Sequence, residues 1–224
     1  MTSGSSGQHA SQHADGTPVA GDWSALSDEL IQGLVHALNN RVAALGAFVE
    51  LARLGDEEAD PLTVLPEEIA QLHRVNGLFA LLPARGGEPE ALELPLVLDD
   101  ALRLFEHHPR LRADQSPIVR EGTLLPVRTI RWALLRVLLM LVHAGRRSTE
   151  SVHGHGGATI RLVGDEEYVS VRVATRAEPS AQLATLAERC GGECARDGDD
   201  LVLRLPSILE LRRRERASRE SAGS

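Results

Sequence analysis

Between Trp23 and Leu54 the chain carries two adjacent rows of apolar residues at helical spacing. One row is Ile31, Val35, Leu38, Val42, Leu45, Val49 and Ala52, with steps that alternate between four and three. Beside it run Leu30, Leu34, Ala37, Arg41, Ala44, Phe48 and Leu51. Together they make an apolar face wider than a coiled-coil seam. Ser24 or Ser27 can cap the start of this helix, and Gly55 fits its end. After a polar connection over 55–63, Leu65, Ile69, Leu72, Val75, Phe79 and Leu82 mark a second helix. Pro66 falls near its first turn, and Pro83 with Gly86-Gly87 stops it. Two such helices joined by a short loop form an antiparallel hairpin. A hairpin with so wide an oily face is completed by a second copy, so residues 22–85 are expected to form a homodimeric four-helix bundle.

From about Glu88 the rhythm changes. Helical patterns at 96–107, 127–147 and 180–189 alternate with strand-like segments at 116–120, 158–163, 168–175, 193–196 and 201–205. The last two strands flank an Asp197-Gly198 turn. The expected fold class is α+β, with an α/β sandwich over 88–206 following the hairpin. Residues 1–21 are Ser, Gly, His and Gln-rich and are read as a disordered tail, and 207–224 as a charged tail that is either free or a frayed helix. The net charge is −8, with all the basic residues Arg. This argues against nucleic acid or an anionic membrane as partner. No apolar run reaches the roughly 18–20 residues that span a bilayer, and a cytoplasmic location is expected.

His36 is the residue best placed for chemistry. At the helical repeat it lies about 160° from the centre of the apolar face, so its imidazole should meet water. Its helical neighbours Gly33, Asn40, Ala43 and Ala47 are small or polar, and low relief of this kind admits a flat protein surface. Imidazole is nucleophilic near neutral pH without a separate base.

The run His36-Ala37-Leu38-Asn39-Asn40-Arg41-Val42 resembles the H-box of bacterial sensor histidine kinases, in the subgroup reading His-Glu-Leu-Asn-Asn-Pro-Leu. The resemblance extends to the hairpin and, through 134–144 and 186–206, to the family's catalytic domain. It implies a phosphoacceptor at His36. Asn40 matches the family position associated with dephosphorylating receivers, where an amide can orient water. The departures are equally informative. Two Asn four apart in the family's buried helix hold Mg²⁺ and phosphates. Here those positions are Met140 and Ala144, or Leu139 and His143 in the alternative register. The adenine loop and lid are absent between Thr175 and Ser180, and the acid that follows the phosphorylated His is Ala37.

These losses lead to an expectation of no cofactor and no ATP binding, with Mg²⁺ supplied by a partner receiver domain. The sequence then looks like a dimeric histidine phosphotransferase that relays phosphoryl groups between receiver aspartates through His36. Gly33, Ala37, Arg41 and Ala43 are the expected partner-binding surface, and a hybrid histidine kinase is a further expected partner. The competing readings are a pseudokinase scaffold that only binds receivers or a kinase, and a receiver phosphatase using Asn40.

Other candidates are simpler. His153-x-His155 lacks a third metal ligand, and His107-His108 end a helix where its dipole favours them. Cys190 and Cys194 have neither redox nor zinc spacing, and Arg212-Arg213-Arg214 reads as a charged helix end.

Overall fold

The computed structural model describes residues 19–20, 22–54, 61–83, 86–111, 116–153 and 158–222. Strand β1 (Val19–Ala20) precedes helix α1 (Trp23–Leu54), and α2 (Pro61–Phe79) follows. Then come β2 (Glu90–Leu92), α3 (Leu94–Phe105), β3 (Ile118–Gly122), β4 (Val127–Thr129) and α4 (Arg131–His153). The remainder is β5 (Ile160–Gly164), β6 (Tyr168–Ala174), β7 (Glu178–Pro179), α5 (Ala181–Arg189), β8 (Glu193–Asp197), β9 (Asp200–Pro206) and α6 (Ile208–Ala222). The expected tail is outside the described residues up to 18 and at 21, as are Gly55 and His155. No helix of the described residues is long and apolar enough to cross a membrane.

A five-stranded sheet in the order β3-β5-β6-β9-β8 forms the base of the α/β part. β3 and β5 are parallel and the other pairs antiparallel. Burial alternates along β6, where Val169, Val171 and Val173 face inward, and Leu201, Leu203 and Leu205 do the same on β9. That alternation is the mark of a sheet covered on one face and wet on the other. The covering layer is α3, α4 and α5, and α4 is enclosed on nearly all sides from Ala133 to Arg146.

Several boundaries differ from the sequence reading for local reasons. Asp22, not Ser24 or Ser27, caps α1: its Oδ1 accepts the backbone N–H of Ser24 at 2.9 Å. α2 begins at Pro61, a residue suited to the first helical position because it has no N–H to satisfy there, so Pro66 lies inside the helix. The helix expected from Val127 begins at Arg131. Val127 and Thr129 alternate inward on β4, which pairs antiparallel with β2. The charged tail is the helix α6, started by Ser207 Oγ accepting the Glu210 N–H and tied back by Arg213 to Glu166 at 2.7 Å.

α1 and α2 pair antiparallel, with Arg41 on Glu68 across the hairpin. Leu26, Leu30 and Leu34 are fully buried and share one core with α3 and α4, so the start of the second apolar row of α1 faces the α/β part of its own chain, while Leu51 at its far end is exposed. Of the first row, Leu38 packs against this core, whereas Ile31, Val35, Val42 and Val49 are all exposed, Val42 to 55%. At the helix start, Arg136 of α4 stacks on Trp23 at 4.4 Å. Just before it, β1 pairs in parallel with β7.

Candidate functional site

His36 is exposed on α1, as the periodicity required. Asn40, one turn on, places its Nδ2 3.3 Å from His36 Nε2. An amide nitrogen can only donate, so this contact is a hydrogen bond in the tautomer whose Nε2 is unprotonated.

The other residues expected around His36 are placed unequally. Ala43 is exposed and Ala37 half-buried. Arg41 is committed to its own chain: Nη1 lies 3.2 Å from both carboxylate oxygens of Glu68. Gly33 is a correction. It is buried beneath the carboxyl end of α3, where an added Cβ would fall on the carbonyl oxygen of His107. Glycine is used there for the close approach of two backbones, so it offers no open surface to a partner.

The row that carries Gly33, His36 and Asn40 begins one turn earlier with Glu29. Glu29 reaches the end of α3, where His108 Nε2 lies 2.9 Å from its carboxylate, and His143 Nε2 of α4 is 3.9 Å away. His108 Nδ1 accepts the backbone N–H groups of Arg110 at 3.2 Å and Leu111 at 3.1 Å. Those bonds put the ring proton on Nε2, which donates it to Glu29. Burial holds both imidazoles below the usual histidine range, with Glu29 pulling the other way. For His143 burial, then His108 and Arg147, push the value down to about 4. The donor atoms of the three residues lie within 4.8 Å of one another, two nitrogens and a carboxylate that could hold a metal ion in place of the His108 proton. Sequence reasoning missed this cluster. Its traces were His143 in an otherwise apolar stretch and the His107-His108 pair, and its members are up to 114 residues apart by number, Glu29 to His143.

Both registers proposed for the buried helix lie in the core: Leu139 and Met140 are fully buried, with Ala144 and His143 nearly so. Burial pushes the thiols up, Cys190 to about 11 and Cys194 to about 12, so both stay protonated and unreactive. The side chain of His153 falls outside the described residues.

No protein-family model matches the chain, and no curated protein matches it. Among solved structures, a bacterial phosphotransferase is similar at 15% identity over 84% of this chain and 99% of that one, with a TM-score of 0.39. The histidine kinase AdeS of Acinetobacter baumannii is similar at 15% identity over 77% of this chain and 96% of that one, TM-score 0.40. The ATP binding domain of PrrB from Mycobacterium tuberculosis is similar at 15% identity, over 54% of this chain and 98% of that one, TM-score 0.41. At these scores the likenesses decide nothing about activity. The expectation of a chain with no cofactor is nonetheless corrected by its own residues. Glu29, His108 and His143 form a set that could take a metal ion.

Proposed function

We propose that the chain is a phosphorelay protein that takes and gives a phosphoryl group at Nε2 of His36, with receiver-domain aspartates as its partners. The observation that carries this reading is the exposed imidazole of His36 on α1, with the Asn40 amide nitrogen 3.3 Å from its Nε2. An acyl phosphate is a reactive donor, so the relay asks of this chain a positioned nucleophile on a rigid element, which the long helix α1 supplies. In the transfer, the Nε2–P bond forms as the aspartyl O–P bond breaks, and the receiver recovers its carboxylate. The Asn40 amide, 3.3 Å from Nε2, is placed to orient the ring before transfer.

The working form is a homodimer. Ile31, Val35, Val42 and Val49 make an exposed apolar row along α1 that nothing in the chain covers among the described residues, and self-pairing along this row buries it in a four-helix bundle. The test is transfer from a phosphorylated receiver domain. Acid-labile label is expected on the chain and is lost in His36→Ala. Label that persists in that variant, or no label from any receiver, rejects the relay. Asn40→Ala is expected to leave labelling in place and to slow it.

A further inference from the structure

Three elements bring donor atoms to one point where the hairpin meets the α/β part. Glu29 stands on α1, His108 just past the end of α3, and His143 on α4. Glu29 Oε2 lies 2.9 Å from His108 Nε2 and 3.9 Å from His143 Nε2, and the donor atoms of all three fall within 4.8 Å of one another. The two measured separations bracket the roughly 3.3 Å between ligand atoms of a tetrahedral site whose bonds are about 2.0–2.1 Å. Backbone fixes the approach: one turn beyond Glu29, Gly33 packs on the His107 carbonyl so closely that a Cβ has no room. A hydrogen-bonded pair accounts for Glu29 and His108 but not for His143. That ring is buried, its Nε2 is beyond hydrogen-bond reach of the carboxylate, and it makes no hydrogen bond among the described residues. The two imidazoles stand with centroids 5.9 Å apart, both with Nε2 near the same carboxylate oxygen.

We propose that Glu29, His108 and His143 form a binding site for a divalent ion of the zinc class, which staples α1 to α3 and α4. Two imidazole nitrogens with one carboxylate suit zinc and its first-row neighbours, whereas Mg²⁺ and Ca²⁺ call for oxygen ligands. The ion exchanges with the Nε2 proton of His108, which leaves to solvent. The backbone N–H groups of Arg110 and Leu111, 3.2 and 3.1 Å from Nδ1, hold the negative charge that remains on that ring. Glu29 and the deprotonated ring together balance the two charges of the ion, as a buried site requires. The fourth position falls on the side of Glu29, whose side chain is 34% exposed, so water completes the set and the ion has a way in. The site lies two helical turns before His36 and stands whether or not that residue carries phosphate.

The experiment uses the full chain, with Zn²⁺ in equilibrium dialysis and Co²⁺ as an optical probe. One tightly held Zn²⁺ per chain is expected, and bound Co²⁺ should give the intense visible absorption of a four-coordinate site. Glu29→Gln and His143→Leu are each expected to lower Zn²⁺ affinity by about a hundredfold and to abolish that absorption. Zn²⁺ should raise the Tm of wild type and leave that of Glu29→Gln unmoved. The double variant His153→Ala/His155→Ala should match wild type in every readout. An absence of tight Zn²⁺ binding overturns the proposal. So does binding that survives both ligand substitutions, disappears in the double variant, or yields to millimolar Mg²⁺. Circular dichroism reports whether each variant folds. The wild-type Co²⁺ spectrum needs no variant: a weak, six-coordinate spectrum rejects the site by itself.

Discussion

Gly33 shows how one missing side chain sets the distance between two halves of a molecule. Its Cα faces the His107 carbonyl so closely that a methyl group has no room, and both partners are backbone. Gly33→Ala is expected to destabilise the chain by about 1–3 kcal/mol, because overpacking outweighs the better helix propensity of alanine. Gly46, on the same helix, has nothing within 4 Å of where a Cβ would sit. Gly46→Ala should therefore stabilise by about 0.5–1 kcal/mol. Urea unfolding of both variants reads the two signs together. His143 makes a second prediction at this scale. Its folded value, about 4 against the usual 6.5, means that the unfolded chain binds the proton more readily. Stability is fully present above pH 6.5 and falls as the pH drops toward 4, by about 3 kcal/mol from this residue. With a chelator present, denaturation at pH 7, 5.5 and 4.5 should show that loss, and His143→Leu should flatten it. The outward position of His36 was legible from periodicity, since a helix face needs only local spacing. The inward role of Glu29 was not, because a single acid gives no sign of the imidazoles that chain reversal brings to it.

At the scale of elements, caps and short strands decide the boundaries. Ser180 accepts the Leu183 N–H at 3.0 Å and starts α5. Ser180→Ala is expected to cost about 1 kcal/mol, visible as a lowered Tm. Strong periodic segments were readable from sequence to within a few residues: α1, β5, β6, α5 and the β8–β9 hairpin around Gly198, whose φ of 63° suits glycine. The elements that were missed are those with no pattern of their own. β1 and β7 are two residues each and exist only because each supplies the other's hydrogen bonds. The sequence pattern merges β4 with the first turn of α4, since an apolar run of that length does not distinguish a strand leading into a helix from a helix.

For the whole molecule, the exposed row on α1 is the feature with the largest consequence. Val42→Asp puts a charge into the proposed self-pairing seam and leaves the intrachain core untouched, because Val42 is 55% exposed. The wild type is expected to elute from sizing with light scattering at twice its 24.2 kDa, and the variant at 24.2 kDa with unchanged circular dichroism. Monomeric wild type would reject the dimer. Spacing along the chain by itself determined that α1 is a helix with two oily rows and a polar back bearing His36, and that sheet strands alternate, because these patterns depend on neighbours a few residues away. Which row turns inward, where Arg41 spends its charge and which imidazoles meet Glu29 were decided only by tertiary structure. Those outcomes depend on the shape of the α3–α4 surface and on side chains brought together from distant parts of the chain, and no local periodicity encodes either.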